Sequence, residues 1–310
     1  MQMILELLLL ALGFVLLVKG ADWFVDGAAG IARKFRIPQL VIGLTIVAMG
    51  TSAPEAAVSI SAALKGSADI TIGNIVGSNI LNILIILGLS SLIVPVAVAK
   101  ATIKLDIPFM LLISGVLLAL GWDSTVSLGD GLIMAVLFIG YIGYLLYNAK
   151  KHPDPNGYEF VRDLSLPKCL FWTVLGLGLI ILGSNLAIDA ATAIARILGL
   201  SERFIGLTIV ALGTSLPELF TSVMAARKGN ADIAIGNIVG SNIFNILFVV
   251  GLSAIIIPVP FAAAFRIDTL VAIGAGVLLW LCGLRGKLVW WHGALMLLSY
   301  GGYFAYLLLK

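Results

Sequence analysis

The sequence predicts an all-α integral membrane protein, with ten transmembrane helices arranged as two five-helix repeats of inverted topology. Of its residues 61% are hydrophobic and only 11% are charged, against about 25% charged in a soluble domain. Apolar blocks of membrane-spanning length recur throughout the 310 residues, and a 53-residue segment occurs twice. Because each copy contains five helices, an odd number, the second copy must enter the membrane from the opposite side.

A spanning helix needs about 20 mostly apolar residues. Ten segments meet this requirement: 2–32, 38–64, 70–94, 104–121, 128–149, 168–197, 202–226, 232–257, 266–284 and 288–309. The first segment lacks the basic start and the small-residue cleavage site of a signal peptide, so we expect it to be a retained helix. This segment and segment 168–197 are each longer than the membrane requires.

One polar stretch divides the chain. Residues 150–167 contain Pro153, Pro155 and Gly157, which do not continue a helix. We therefore expect residues 1–149 to form the first half, 150–167 a cytoplasmic connecting loop that includes His152, and 168–310 the second half.

The internal repeat is the strongest signal in the sequence. Residues 43–95 align with 206–258 at a constant offset of 163 without a gap, and 36 of the 53 positions are identical. Weaker matches precede it, among them Asp26 with Asp189. Inverted repeats are typical of secondary transporters, whose substrate site lies near the bilayer midplane where the two copies meet.

The basic residues predict the orientation. Thirteen fall on one side of the predicted topology: Arg33, Lys34, Arg36, Lys100, Lys104, Lys150, Lys151, Arg162, Lys168, Arg227, Lys228, Arg285 and Lys287. Five fall on the other: Lys65, Arg196, Arg203, Arg266 and Lys310. The richer side is expected to be cytoplasmic, which places both termini outside.

The first polar island within the repeat reads Gly50-Thr51-Ser52-Ala53-Pro54-Glu55, and it recurs as Gly213-Thr214-Ser215-Leu216-Pro217-Glu218. A carboxylate inside an apolar helix costs several kcal/mol unless it is paired or solvated. No Lys or Arg lies near the centre of the four segments that carry the repeated polar motifs, 38–64, 70–94, 202–226 and 232–257, so a bound cation is the expected partner of both glutamates.

Each proline removes a backbone donor from its helix. We expect carbonyls about one turn earlier, near Ala48 and Ala211, to become oxygen ligands, as in other transporters with interrupted helices. Thr51 and Ser52 lie four and three residues before Glu55, which places their hydroxyls on the same helix face.

The second island spans residues 73–82 and recurs at 236–245. Ser78 and Asn82 are four residues apart, as are Ser241 and Asn245. The combined set of carboxylate, hydroxyl, amide and carbonyl oxygens suits hard cations such as Ca²⁺ and Na⁺, not zinc or copper. Each motif alone is also compatible with helix packing, but two copies at one fixed offset favour an ion site.

The remaining polar residues are interpreted as structural. Asp69 and Asp232 are expected to cap helices, and Asp26 and Asp189 are either structural or line an access path. His292 follows two tryptophans and is expected in an interfacial belt. The two cysteines, Cys169 and Cys282, are expected to be buried apolar residues.

The two islands resemble the α-repeats of the calcium/cation antiporter superfamily, and specifically of its prokaryotic sodium/calcium exchanger branch. This resemblance covers essentially the whole chain. It implies ten helices with helices 2, 3, 7 and 8 around the ions, and helices 1 and 6 sliding to alternate access. The implied ligands are Glu55, Glu218, Thr51, Ser52, Ser78, Asn82, Thr214, Ser215, Ser241 and Asn245, with the carbonyls of Ala48 and Ala211. Several relatives carry Asp where this chain has Asn245, which leaves the ion stoichiometry open.

These observations predict an antiporter that exchanges Na⁺ for Ca²⁺ within the lipid membrane, without a cofactor and without nucleic acid as a partner. A Ca²⁺/H⁺ antiporter remains the main alternative, since buried glutamates can also carry protons. An intramembrane enzyme using the two glutamates as an acid/base pair, and a passive channel, are less consistent with the inverted repeat.

Overall fold

The computed structural model describes residues 2–151, 163–199 and 211–309. The first half comprises helix α1 (Gln2–Phe35), α2 (Gln39–Thr51), α3 (Ala53–Leu64) and α4, which begins as an α-helix over Asp69–Leu81. Helix α4 continues through a π-helical segment, Asn82–Leu87, into Gly88–Ile93. Helix α5 joins a π-helical start, Thr102–Asp106, to Ile107–Leu120, and α6 spans Leu128–Lys151.

The second half repeats this order. Its helices are α7 (Leu166–Ile197), α8 (Ala211–Thr214), α9 (Leu216–Arg227), α10 (Ala231–Phe244, then π-helical Asn245–Val250 and α-helical Gly251–Ile256), α11 (Ala263–Gly283) and α12 (Trp290–Leu309). Eight helices in the described ranges are long and apolar enough to span a membrane, and α2 with α3 forms a ninth, bent span. The predicted span 202–226 is described only from residue 211, and His152 lies outside the described residues.

The predicted span 38–64 is interrupted at Ser52 and bent by 51°. Pro54 occupies the first turn of α3, where a missing backbone N–H costs nothing. The proline therefore ends one helix and starts another instead of kinking a single one. The same interruption occurs at Ser215 before Pro217.

Helices α4 and α10 form the centre of the molecule. Their apolar windows are 78% and 83% buried, whereas those of α6 and α12 are 17% buried. Exposed leucine, isoleucine and valine side chains cover the outer helices, as expected of surfaces that face lipid tails. The second polar islands, 73–82 and 236–245, therefore lie on the two helices that are most completely enclosed by protein.

Two short strand pairs connect the halves. Strand β1 (Val96–Ala97) pairs antiparallel with β4 (Lys287–Leu288), and β2 (Thr125–Val126) pairs with β3 (Val259–Pro260). Each pair joins the loop after the central helix of one half to the loop between the last two helices of the other. The pairs are thus related by the same pseudo-twofold symmetry as the sequence repeat.

Helices α1 and α7 pack against each other in antiparallel fashion along most of their length. Gly13, Gly20, Gly176 and Gly183 bring the two backbones together, and a Cβ on any of them would lie within 3 Å of a backbone atom of the facing helix. Both helices are longer than a membrane span, as predicted, with 34 and 32 residues.

Three expectations about individual polar residues need comment. The N-cap positions are occupied by Ala68 and Asn230, and Asp69 and Asp232 lie within the first helical turn, so neither aspartate is the N-cap residue. His292 is buried, and its Nδ1 accepts the N–H of Val289 at 3.0 Å, so it supports the start of α12 instead of facing an interface.

The two cysteines are buried and unpaired, as predicted.

Candidate cation-binding site

The two helix interruptions place the glutamates at equivalent positions. Ser52 and Ser215 have nearly identical non-helical backbone angles, with φ of −81° and −89° and ψ of 8° and 5°. In each case a proline and then a glutamate follow in the first turn of the next helix. The N-terminal end of a helix carries partial positive charge, which favours a carboxylate at this position.

Each glutamate is bonded to the serine of the opposite repeat. Ser52 Oγ donates to Glu218 Oε1 at 2.8 Å, and Ser215 Oγ donates to Glu55 Oε1 at 3.4 Å. Both glutamates are 1% exposed. The crossed bonds bring the two first islands together into one site with approximate twofold symmetry.

Two asparagines donate hydrogen bonds to the backbone carbonyls of the glutamates. Asn74 Nδ2 donates to Ser59 Oγ at 2.9 Å and to the Glu55 carbonyl at 3.3 Å. Asn237 Nδ2 makes the equivalent bonds to Ser222 Oγ at 2.9 Å and to the Glu218 carbonyl at 3.4 Å. These contacts fix the second island of each repeat against its first island.

Asn237 also orients a predicted ligand. Its Oδ1 accepts a hydrogen bond from Thr51 Oγ1 at 2.9 Å. Since that hydroxyl proton is directed toward Asn237, the oxygen lone pairs of Thr51 remain available for a cation.

A second pair of asparagines joins the central helices. Asn79 Nδ2 donates to the Asn242 carbonyl at 3.3 Å, and Asn242 Nδ2 returns a bond to the Asn79 carbonyl at 3.2 Å. Their side-chain oxygens accept bonds from Asn245 Nδ2 at 3.2 Å and Asn82 Nδ2 at 2.9 Å. With their nitrogens engaged, the amide oxygens of Asn82 and Asn245 are left as acceptors.

Four acceptor oxygens in this region are buried without a hydrogen-bond donor: Glu55 Oε2, Glu218 Oε2, Asn82 Oδ1 and Asn245 Oδ1. A buried oxygen without a partner costs about 1–3 kcal/mol, and more when it is charged. A cation satisfies carboxylate and amide oxygens together. No cluster of three or more His, Cys, Asp or Glu side chains occurs among the described residues, so any cation held here relies on mixed neutral and charged oxygens.

Comparison with protein families identifies relatives of the whole chain. The model of the sodium/calcium exchanger protein family matches residues 5–147 and 168–309, which is nearly the whole chain in two halves.

The chain belongs to the sodium/calcium exchanger family.

Full-length relatives agree with this assignment. The chain is 42% identical over 316 residues to CaxA of Alkalimonas amylolytica, covering 97% of this chain and 98% of the relative. It is 32% identical over 336 residues to the sodium/calcium exchanger MaX1 of Methanosarcina acetivorans, covering 94% and 95%.

A solved structure has the same fold. The sodium-calcium exchanger NCX_Mj, in a crystal soaked with 2.5 mM Na⁺ and 10 mM Sr²⁺, is 35% identical and superposes with a TM-score of 0.86. The match covers 98% of this chain and 99% of the other. The family is one of transporters, which agrees with the expectation that the chain is not an enzyme.

The remaining predicted ligands of this exchanger family member lie on the same interrupted and central helices. Ser78 and Ser241 are buried on the central helices, and Ser241 Oγ lies 3.4 Å from the Ala48 carbonyl. Thr214 is partly buried at the end of α8, and Ala211 begins that helix. Their roles as ligands remain predictions.

The expectation that Pro54 frees the Ala48 carbonyl is wrong. That carbonyl accepts the backbone N–H of Ser52 at 3.0 Å. The carbonyl four residues before Pro54 is that of Gly50, and only there does the ring remove the helical donor. A carbonyl oxygen has two lone pairs, and the Ala48 oxygen also lies 3.4 Å from the hydroxyl oxygens of Thr51 and Ser241.

Sequence reasoning missed the supporting asparagines and serines of the site. Asn74, Asn79, Asn237 and Asn242 lie within the second island but were not among the predicted ligands, and Ser59 and Ser222 were not singled out. The available signal was their identity at the offset of 163 within apolar helices. Residues identical in both copies at a core helix indicate a shared role, either binding or positioning.

Proposed function

We propose that the protein is a secondary active antiporter that exchanges Na⁺ for Ca²⁺ by alternating access at the site formed by Glu55 and Glu218. The main support is the twofold-related set of four buried acceptor oxygens without donors. Two ionised glutamates carry about two negative charges, which one Ca²⁺ or two Na⁺ neutralise. An unloaded site of that charge resists crossing the low-dielectric membrane, which couples movement to ion binding and favours exchange over leak.

The contacts support a distinct role for each group. The glutamates supply charge, and Asn82 and Asn245 supply neutral oxygens whose orientation is set by their amide bonds. Ser52 and Ser215 donate to the carboxylates, and turning their protons away exposes oxygen lone pairs to an incoming ion. Thr51, Ser78, Thr214, Ser241 and the carbonyls of Ala48 and Ala211 complete the proposed set of oxygen ligands.

The deciding experiment measures uptake of radiolabelled calcium into proteoliposomes loaded with Na⁺ and diluted into Na⁺-free buffer. We expect Na⁺-driven uptake, and a loss of about 100-fold or more in Glu55→Gln and Glu218→Gln, since each variant removes a buried charge that pairs with the ion. Equal uptake by the parent and both variants would exclude the glutamates as ligands.

Matched controls make the result specific. Glu6→Gln removes a carboxylate near the start of α1, far in sequence from both islands, and is expected to retain uptake. A parallel set of vesicles carries a proton gradient without Na⁺. Uptake driven by protons alone would assign the protein to Ca²⁺/H⁺ exchange, and uncoupled uptake with no gradient would indicate a channel.

We further propose that residues 150–167 face the cytoplasm and that both termini lie outside. Thirteen basic residues on one side against five on the other support this orientation. The strand pairs are consistent with it, because β1 pairs with β4 and β2 with β3, and each pair joins loops on the same predicted side. Lys34 also forms an ion pair with Asp163 at 3.0 Å, and the Lys34 ammonium lowers the pKa of the Asp163 carboxyl.

A further inference from the structure

Lys228 connects the long helix α1 to the end of the helix that carries Glu218. It is the residue directly after α9, and its Nζ lies 2.7 Å from Asp22 Oδ1 and 2.7 Å from the Asp22 carbonyl. It also donates to the Asp26 carboxylate. The three side chains are only 22%, 35% and 15% exposed, so water screens this network less than a surface pair.

The equivalent residues of the other repeat do not form this network. At the offset of 163, Lys65 corresponds to Lys228, Asp189 to Asp26 and Asn185 to Asp22. All three are exposed. Neither Lys65 nor Asp189 has an ion-pair partner among the residues that the structure describes.

Helix packing shows the same asymmetry. Helix α1 lies along α9, where Phe14 and Phe220 contact each other with ring centroids 6.0 Å apart. Its counterpart α7 makes no comparable contact with α3 within the described ranges. The side of the molecule that carries Lys228 is therefore closed by α1, while the equivalent contact on the other side is open.

The close backbone packing of α1 and α7 makes them a single body. In an inverted-repeat transporter, exchanging the conformations of the two halves produces the opposite-facing state. In this chain, such an exchange would move the α1–α7 pair so that α7 contacts α3. Lys65 would then lie beside Asp189 and Asn185, as Lys228 lies beside Asp26 and Asp22.

We propose that two ion pairs alternate during transport. Lys228 pairs with Asp22 and Asp26 in the state described here, and in the opposite-facing state these bonds break while Lys65 pairs with Asp189. The two lysines thus position the α1–α7 pair at either end of its movement. This inference rests on the proposed alternating-access function.

The ion-pair network around Lys228 is stronger than the one proposed around Lys65. Lys228 has two carboxylate partners, whereas the network around Lys65 contains one carboxylate, Asp189, and the neutral Asn185. Without bound ions, the state with Lys228 engaged is therefore favoured.

The test measures cross-linking between Lys65→Cys and Asp189→Cys in the full-length chain in membranes, in a background carrying Cys169→Ala and Cys282→Ala. A short bifunctional thiol reagent reports how often the opposite-facing state forms. We expect slow cross-linking with Lys228 present and about tenfold faster cross-linking with Lys228→Met, since breaking a close charge pair at an interface shifts an equilibrium by at least this factor.

Charge restoration separates this role from a general loss of stability. Lys228→Arg is expected to keep cross-linking slow. Lys228→Asp is expected to accelerate it, and adding Asp26→Lys to that variant is expected to slow it again. A purely structural role for Lys228 predicts no such rescue, and a monodisperse size-exclusion profile of each purified variant identifies any that fail to fold.

Two results would overturn the proposal: a cross-linking rate that is the same with Lys228, Lys228→Met and Lys228→Asp, or acceleration that the double charge reversal does not rescue. The assay needs no ion transport, so its outcome is independent of the uptake experiment. A chain that cross-links as expected but carries no Ca²⁺ would retain the exchange of ion pairs and lose only the assigned cargo.

Discussion

At the scale of single residues, the site depends on which hydrogen-bond donors are engaged and which acceptors are left without one. The asparagine nitrogens are bonded to protein oxygens, whereas Asn82 Oδ1, Asn245 Oδ1 and one oxygen of each glutamate have no donor. This separation of donors from acceptors creates a region suited to cations in the interior of an apolar protein.

Asn237 offers a test of this arrangement, because its two ends act on different parts of the site. Asn237→Ala removes the acceptor that orients Thr51 and the donor to the Glu218 carbonyl. Leaving such buried groups without partners costs about 1–3 kcal/mol. We expect the Ca²⁺ concentration for half-maximal uptake to rise by about tenfold, measured in proteoliposomes.

Ser222→Ala is the matched control, since Ser222 contacts the same asparagine on the side away from Thr51. We expect it to change the half-maximal Ca²⁺ concentration by less than about threefold, because the bonds of Asn237 to Thr51 and Glu218 remain. Similar losses in both variants would argue against an orienting role for Asn237.

At the scale of helices, interruptions and close contacts have separate functions. The breaks at Ser52 and Ser215 present the glutamates at helix N-termini. π-Helical turns begin at Asn82 and Asn245, the two predicted amide ligands, and such turns are frequent at functional sites. The glycines of α1 and α7 instead allow two long helices to approach at backbone distance.

A pair of glycines in α7 tests the importance of this approach. A Cβ on Gly176 would lie 2.5 Å from the Phe24 nitrogen and 2.7 Å from the Gly20 carbonyl oxygen, whereas a Cβ on Gly178 would have no atom within 4 Å. We expect Gly176→Ala to destabilise the protein by about 1–3 kcal/mol through overpacking and to slow uptake.

Gly178→Ala serves as its control and is expected to be neutral, or stabilising by up to about 1 kcal/mol through helix propensity. Thermal unfolding in detergent measures the stability of both variants, and calcium uptake measures their activity. Wild-type stability in Gly176→Ala would show that α1 and α7 are less tightly packed than described.

At the scale of the whole molecule, the inverted repeat produces a site from two chemically similar halves and an asymmetric conformation around it. The hydrogen bonds around the glutamates are nearly twofold symmetric. The contacts of α1 with α9 are not matched by contacts of α7 with α3. Symmetry at the site and asymmetry at its periphery are the features that alternating access requires.

The proposed orientation is also tested at this scale. Fusing alkaline phosphatase to the C-terminus should give an active enzyme in bacterial cells, and fusing green fluorescent protein there should give no fluorescence, because the terminus is predicted to lie outside. Fusions truncated after residue 155 should behave in the opposite way. Fluorescence from the C-terminal fusion would show that the protein has the opposite orientation in the membrane, and it would leave the description of the fold unchanged.

The sequence by itself determined the membrane class, and it predicted the two halves and the centre of the site. Long apolar segments have to be helices in lipid, because no water satisfies their backbone groups. A carboxylate repeated at a fixed offset inside such a helix indicates a shared site regardless of tertiary detail. Glu55, Glu218 and the flanking serines were therefore accessible to sequence analysis.

Only the tertiary structure decided how the halves fit together. Which serine bonds to which glutamate, how Asn79 and Asn242 pair across the molecule, and that Ala48 keeps its backbone bond all depend on distances between distant segments. The unequal contacts of Lys228 and Lys65 also depend on tertiary packing, since α1 lies along α9 while α7 makes no comparable contact with α3 within the described ranges. Local sequence specifies what each repeat can form, and the packing of the repeats selects which of those contacts exist at one time.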